Sequence, residues 1–198
     1  FLPRTIDFVP ATSSTSSAAG AAEGSVGGQR DGPPPPQYFL FPRERIAALL
    51  RDSRDEVRRV GRGLRNAGNT CFLNSVLQAL VHTKPLQSFL LSGEHTSGCE
   101  ARGSHGGFCA LCLFESHTRE ALEDVKSAVH PKDLLKRLHQ LGGRSMRLGR
   151  QEDAHEFLRQ FLDACHRSSL RPAIERHGEV PLPVQRTTLV QQLFGGYL

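Results

Sequence analysis

No apolar run in this chain of 198 residues approaches the roughly 20 residues that a membrane span needs, so no membrane-embedded helix is expected. Residues 1–10 also lack the apolar centre of a secretory signal peptide. Cysteine is scarce. The five that occur are odd in number and unevenly spaced, which argues against a disulfide framework and for a reducing, intracellular compartment, cytoplasm or nucleus alike. Methionine occurs once, at Met146, and the first residue is Phe1, so the expectation is a processed start or a piece of a longer chain. The first sixty residues are poor in core material. Residues 11–32 are rich in Ser, Ala, Gly and Thr, and a run of prolines at 33–36 follows. Such a composition cannot repay its ordering entropy, so residues 1–37 read as a low-complexity, disordered linker ending in a stiff polyproline element. No internal repeat is visible, and no convincing strand precedes the last few residues.

Charge is present but interleaved. The net charge is +5, and eight arginines fall between Arg43 and Arg65, among Glu44, Asp52, Asp55 and Glu56. Ile46, Leu49, Leu50, Val57 and Val60 fit a short amphipathic helix and a turn, so a solvated helical face is favoured over a nucleic-acid or acidic-protein patch. No aromatic residue alternates with these arginines, as a single-strand stacking platform requires. Residues 38–62 therefore read as a basic lead-in segment, with Tyr38, Phe39, Leu40, Phe41 and Pro42 as an apolar strap.

The most informative stretch is residues 63–80, GLRNAGNTCFLNSVLQAL. From Cys71 onward, Phe72, Leu73, Val76, Leu77, Leu80 and Val81 recur at helical spacing and predict one buried helix face. Asn69 or Thr70 is placed to cap that helix. Cys71 then sits where first-turn N–H groups and the helix dipole favour negative charge, and a thiolate is the nucleophilic form of cysteine. The bland alternatives are a small apolar cysteine at a helix start and, for Asn66, a turn residue tolerant of positive φ.

This stretch resembles the cysteine box of the ubiquitin-specific proteases, papain-like cysteine peptidases. The resemblance implies that Cys71 is the nucleophile that attacks the carbonyl of the ubiquitin C-terminal glycine. It implies that Asn66 helps to hold the oxyanion, and that ubiquitin and ubiquitinated proteins are the partners. It also implies the fold: residues 63–198 would be the α-helical lobe, or thumb, of an α+β enzyme, truncated before the β-rich fingers and palm. Residues 151–158, QEDAHEFL, resemble a second stretch of the family, in which Gln151 and Asp153 border the channel for the ubiquitin tail. His155 is not the base by that motif and reads as a solvent-facing helix histidine. The histidine box that supplies the general base has no counterpart here, the His177 and Gly178 pair included, so residues 1–198 are expected not to turn over substrate. Other classes remain open: a catalytically silent ubiquitin-binding relative, or a zinc-stabilised interaction module.

Helical periodicity predicts further elements at residues 85–92, at 108–128, from Pro131 through Leu134, Leu135, Leu138 and Leu141 to a stop at Gly142, and at 151–166. Phe194, Gly195 and Gly196 read as the lead into an incipient strand. In the loop between the first two of these helices and at the start of the second, His95, Cys99, Cys109 and Cys112 have the donors of a closed tetrahedral zinc site that would be structural. A similar His/Cys arrangement follows the cysteine box in one branch of the ubiquitin-specific proteases. His117 is an alternative fourth ligand to His95, while a redox Cys-x₂-Cys pair and four unrelated residues are the rivals. Cys165 falls on an apolar helix face and reads as core.

Overall fold

Leucine and phenylalanine spaced three and four apart build a helical protein. The computed structural model describes residues 35–52, 60–102 and 107–195. Residues 1–34 of the expected linker, Arg54, Arg58 and Arg59 of the basic segment, and the expected strand beyond Gly195 lie outside the described residues. Among the described residues there is no strand, only a parallel bridge between Leu64 and Val129.

Pro42 precedes α1 (Arg43–Asp52), and its carbonyl accepts the first helical bonds, from Arg45 and Ile46. Leu49 is buried, while Arg43, Glu44 and Arg51 face solvent. The strap ahead of α1 is pinned at both polar and apolar atoms. Leu40 and Phe41 donate N–H bonds to Thr187 Oγ1 and Thr187 O, and the Phe41 ring meets Phe89 edge-on at 5.5 Å.

Helix α2 (Cys71–Val81) buries Phe72, Leu73, Val76, Leu77, Leu80 and Val81, the face the periodicity predicts. Helix α3 (Lys84–Ser92) has Pro85 in its first turn and ends on Gly93, whose φ of 72° is the left-handed conformation of a helix C-cap. A short α4 (Glu94–Ser97) follows, and α5 (Ala110–Ala121) packs on α3 and α8. Helix α5 stops seven residues short of the expected end at Ala128. Arg62 causes the turn, because its guanidinium holds Glu120 O, Glu123 Oε2, Ser127 O and Ser127 Oγ together. The expected helix from Pro131 is broken in two, α6 (Lys132–Lys136) and α7 (Leu138–Leu141), around Arg137 at φ −106° and ψ 15°. Leu134, Leu135, Leu138 and Leu141 are all buried on either side of the break.

Helix α8 (Ala154–His177) differs from expectation at both ends. Its first residue is Ala154, and it runs through Pro172 for eleven residues past His166. Leu170 and Ala173 explain the extension: they form a small core with Val180 and Val184 that overrides the local preference of Ser168, Ser169 and Pro172 to stop. The N-terminal half carries the main core. Phe157 meets Phe72 edge-on at 5.6 Å, Phe161 meets Phe114 at 5.1 Å, and Cys165 is buried below them. Gly142 makes this packing feasible, since a Cβ there would lie 2.5 Å from Met146 Sδ and 3.0 Å from Phe157 Cδ2. The chain closes with α9 (Leu182–Gln185) and α10 (Leu189–Phe194), so the residues leading to Gly195 are helical. No helix among the described residues is long and apolar enough to cross a membrane.

Candidate functional site

Two consecutive left-handed residues launch the helix that carries Cys71. Gly68 has φ 91°, where a side chain would be strained, and Asn69 has φ 53°, which asparagine tolerates best among other residues. Asn69 Nδ2 donates to Gly149 O at 2.9 Å and ties this turn to the loop before α8. Thr70 occupies the N-cap position, but the expected side-chain cap is absent, from Thr70 and from Asn69 alike. The Thr70 hydroxyl has competing partners inside the turn: it accepts from Ala67 N–H at 2.9 Å and donates to Asn66 Oδ1 at 3.1 Å. Helix α2 therefore begins with no side chain on its first-turn N–H groups, beside an exposed, free Cys71 thiol.

Asn66 is held on one side only. Its Oδ1 accepts from Gly68 N–H, Thr70 N–H and the Thr70 hydroxyl, each at 3.1 Å. Two side chains one turn apart on α2 clamp the incoming segment. Asn74 Nδ2 donates to Arg65 O at 3.1 Å, and Gln78 Nε2 donates to Arg62 O at 2.9 Å. Backbone bonds of 2.8 Å from Arg65 N–H to Val129 O and from Val129 N–H to Gly63 O fix it from the other side.

The second motif starts the neighbouring helix. Asp153 is the N-cap of α8, with its carboxylate accepting from Glu156 N–H at 2.9 Å, so Gln151 and Glu152 precede the helix instead of opening it. The capping bond is the physical reason for the later start. Because Phe72 packs on Phe157, the N-terminal ends of α2 and α8 lie side by side. Cys71 and Asn66 thus share one end of the helix pair with Gln151 and Asp153, all of them exposed. His155 is exposed too, as a solvent-facing residue of α8.

At the start of α5, His95, Cys99, Cys109 and Cys112 converge, with one ligand atom from each and all four atoms within 4.8 Å of one another. His95 Nε2 stands 3.1 Å from Cys109 Sγ. Sulfurs bonded to one tetrahedral zinc at about 2.3 Å lie about 3.8 Å apart, so the donor set and its spacing fit a metal. Burial pushes the Cys109 and Cys112 thiols up and the His95 imidazole down, which keeps protons on the sulfurs until a cation compensates the charge. The cluster could hold one divalent ion.

The ubiquitin carboxyl-terminal hydrolase family model matches residues 62–198, most of the chain. The chain belongs to that family. It is similar to human ubiquitin carboxyl-terminal hydrolase 42, at 41% identity over 170 residues, 85% of this chain and 12% of that protein. It is also similar to ubiquitin carboxyl-terminal hydrolase 36 of Drosophila ananassae, at 41% identity over 166 residues, 83% of this chain and 15% of the relative. Ubiquitin carboxyl-terminal hydrolase 23 of Arabidopsis thaliana is 40% identical over 141 residues, 71% of this chain and 16% of that protein. The chain therefore spans only a small part of the length of these hydrolases.

Within this family member, His117 is not a partner of the cysteines. It lies buried in α5 outside their cluster, and its Nε2 has no hydrogen-bond partner among the described residues. Burial lowers its pKa to about 4. In the unfolded chain it titrates near 6.5, so the fold refuses a proton that the unfolded state accepts. Stability is then intact above about pH 6.5 and is lost progressively down to about pH 4, by at most roughly 3 kcal/mol. Melting curves from pH 7 to 4 should show a shallower acid limb for His117→Leu than for the unaltered chain; parallel curves would contradict the assignment.

Apolar spacing does not identify Thr70, Asn74 and Gln78 as polar ties. Their signal in the sequence is slight: Asn74 and Gln78 are polar residues four apart on a mostly apolar helix.

Proposed function

We propose that this chain is the helical thumb of a deubiquitinating cysteine protease that hydrolyses the isopeptide bond between the ubiquitin C-terminus and a lysine amine. The observation that carries this reading is the exposed Cys71 at an uncapped helix start, one residue beyond the turn that anchors Asn66. Cys71 Sγ⁻ attacks the glycine carbonyl carbon, and the carbonyl oxygen takes up the charge. The Asn66 NH₂, with its Oδ1 already engaged, donates to that oxyanion. Collapse of the tetrahedral adduct breaks the C–N bond, the lysine amine leaves with a proton, and water then hydrolyses the thioester. Gln151 and Asp153, at the adjacent helix start, border the path of the ubiquitin tail.

Proton transfer in both steps needs a general base within about 3 Å. No hydrogen bond joins Cys71 to a histidine among the described residues: His82 bonds Gln78 O, His95 meets Cys109 and His166 bonds Thr188 Oγ1. Residues 1–198 on their own are thus expected to be inactive, with the base supplied by further sequence of the complete enzyme. We also propose an intracellular setting, on the odd number and uneven spacing of the five cysteines. We assign His95, Cys99, Cys109 and Cys112 to one structural zinc. Four protein donors leave no open position, so the ion would brace the α4–α5 connection and take no part in hydrolysis.

Asn66→Ala tests the reading of the site. In the complete enzyme it should lower kcat on a ubiquitin–fluorophore substrate about 10²- to 10³-fold, the usual cost of one lost oxyanion donor, with KM nearly unchanged. A rise in KM at constant kcat would instead make Asn66 a ground-state binding residue. Assayed beside the complete enzyme, residues 1–198 should give no turnover above their Cys71→Ala version.

A further inference from the structure

Asn66 can stabilise an oxyanion only through its NH₂, so the orientation of its amide decides whether it acts at all. We propose that Thr70 is the positioning residue that fixes this orientation, an inference that rests on the reading of Asn66 as oxyanion donor. Swapping the two ends of an asparagine amide changes its shape little, and hydrogen bonding decides between them. Here Gly68 N–H and Thr70 N–H both point at one atom from 3.1 Å. A backbone N–H only donates, so the atom it meets must be the carbonyl oxygen.

The hydroxyl of Thr70 locks the same choice. Its Oγ1 accepts from Ala67 N–H at 2.9 Å, which leaves its proton for Asn66 Oδ1 at 3.1 Å. Thr70 is 1% exposed, so water cannot take over either bond. Nδ2 is left as the only polar atom of the Asn66 side chain without a partner among the described residues. The ordinary duty of a threonine at this position, capping N2 or N3, is not performed. Thr70 also immediately precedes Cys71, so one residue sets the register of the oxyanion donor and of the nucleophile.

Thr70→Val keeps the shape but removes the hydroxyl, leaving Ala67 N–H without its acceptor and the Asn66 amide less constrained. In the complete enzyme, on a ubiquitin–fluorophore substrate, kcat should fall about 10- to 100-fold with KM within about twofold, as expected for a misplaced catalytic group. Thr70→Ser should restore kcat to within about threefold. Asn66→Ala with Thr70→Val should be no slower than Asn66→Ala alone, since both act through one donor. Asn66→Asp, whose carboxylate accepts the same three bonds but has no NH₂ to donate, should fold and match Asn66→Ala. Alkylation of Cys71 by iodoacetamide develops no oxyanion, so its rate should be unchanged by Thr70→Val. Thr70→Ala carries the same expectations should the valine variant not fold.

Wild-type kcat in the hydroxyl-free variants beside an impaired Asn66→Ala would overturn the role of Thr70 and leave Asn66 standing. An unimpaired Asn66→Ala would remove both together. Loss of alkylation in the hydroxyl-free variants, without rescue by serine, would show that Thr70 merely holds the helix start, and would also overturn the proposal.

Discussion

Cys71→Ala should abolish covalent capture of the complete enzyme by ubiquitin carrying a C-terminal electrophile, and should lower turnover of conjugates by about 10⁴-fold or more. The size follows from the chemistry: without the nucleophile, only binding and oxyanion donors remain, and these account for a small residue of the rate. The assignment to Cys71 rests on comparison within this chain. Of the five cysteines, Cys71 is the one that is exposed. Cys165 is 2% exposed, and burial raises its thiol far above the ordinary range. Cys109 and Cys112 are likewise raised by burial and belong, with Cys99, to the cluster around His95. A thiol that keeps its proton is a poor nucleophile. Peptide mapping of the ubiquitin adduct checks the site, and an adduct that forms normally in Cys71→Ala places the nucleophile elsewhere.

What could be read ahead of the structure follows the range of the forces involved. The helix from Cys71 to Val81 and the one containing Pro85 were legible because apolar spacing and a first-turn proline are local signals. The ends of α5 and α8 were not. Arg62, some sixty residues earlier in the chain, folds the segment after Ala121 into a turn, and a separate core beneath Leu170 and Ala173 carries α8 past its serines and proline. The break at Arg137 was not legible either, because the four leucines also fit one face of an unbroken helix and their spacing carries no trace of it. At the site, the box marked Cys71 and Asn66 as residues, but the cap expected of Thr70 turned out to be a tie to Asn66. Pattern identifies a capping residue; it does not say which of two nearby acceptors takes the hydroxyl proton. The motif at the start of α8 behaves the same way, with Asp153 serving as cap where periodicity places it inside the helix.

Removing metal should affect stability as strongly as losing Cys71 affects activity. His95, Cys99, Cys109 and Cys112 come from α4, the connection after it and the start of α5, so one ion would tie three successive segments together. Without a cation, burial disfavours the thiolates at Cys109 and Cys112. A bound zinc reverses that preference, and its binding free energy adds to the folding free energy. Metal analysis should give about one zinc per chain, as a single closed site requires. Chelation should lower the melting temperature by about 10 °C or more: each kcal/mol moves a chain of this size by about 2–4 °C, and several are at stake. Stoichiometric zinc should restore it. Protons compete with metal for the raised thiols, so chelator sensitivity should increase as pH falls from 8 toward 6. Cys109→Ser and His95→Ala should each lose the metal, whereas His117→Leu should keep it, separating the two histidines by metal content alone. Unchanged melting in a demetallated sample would leave the four side chains as a buried cluster with no structural ion.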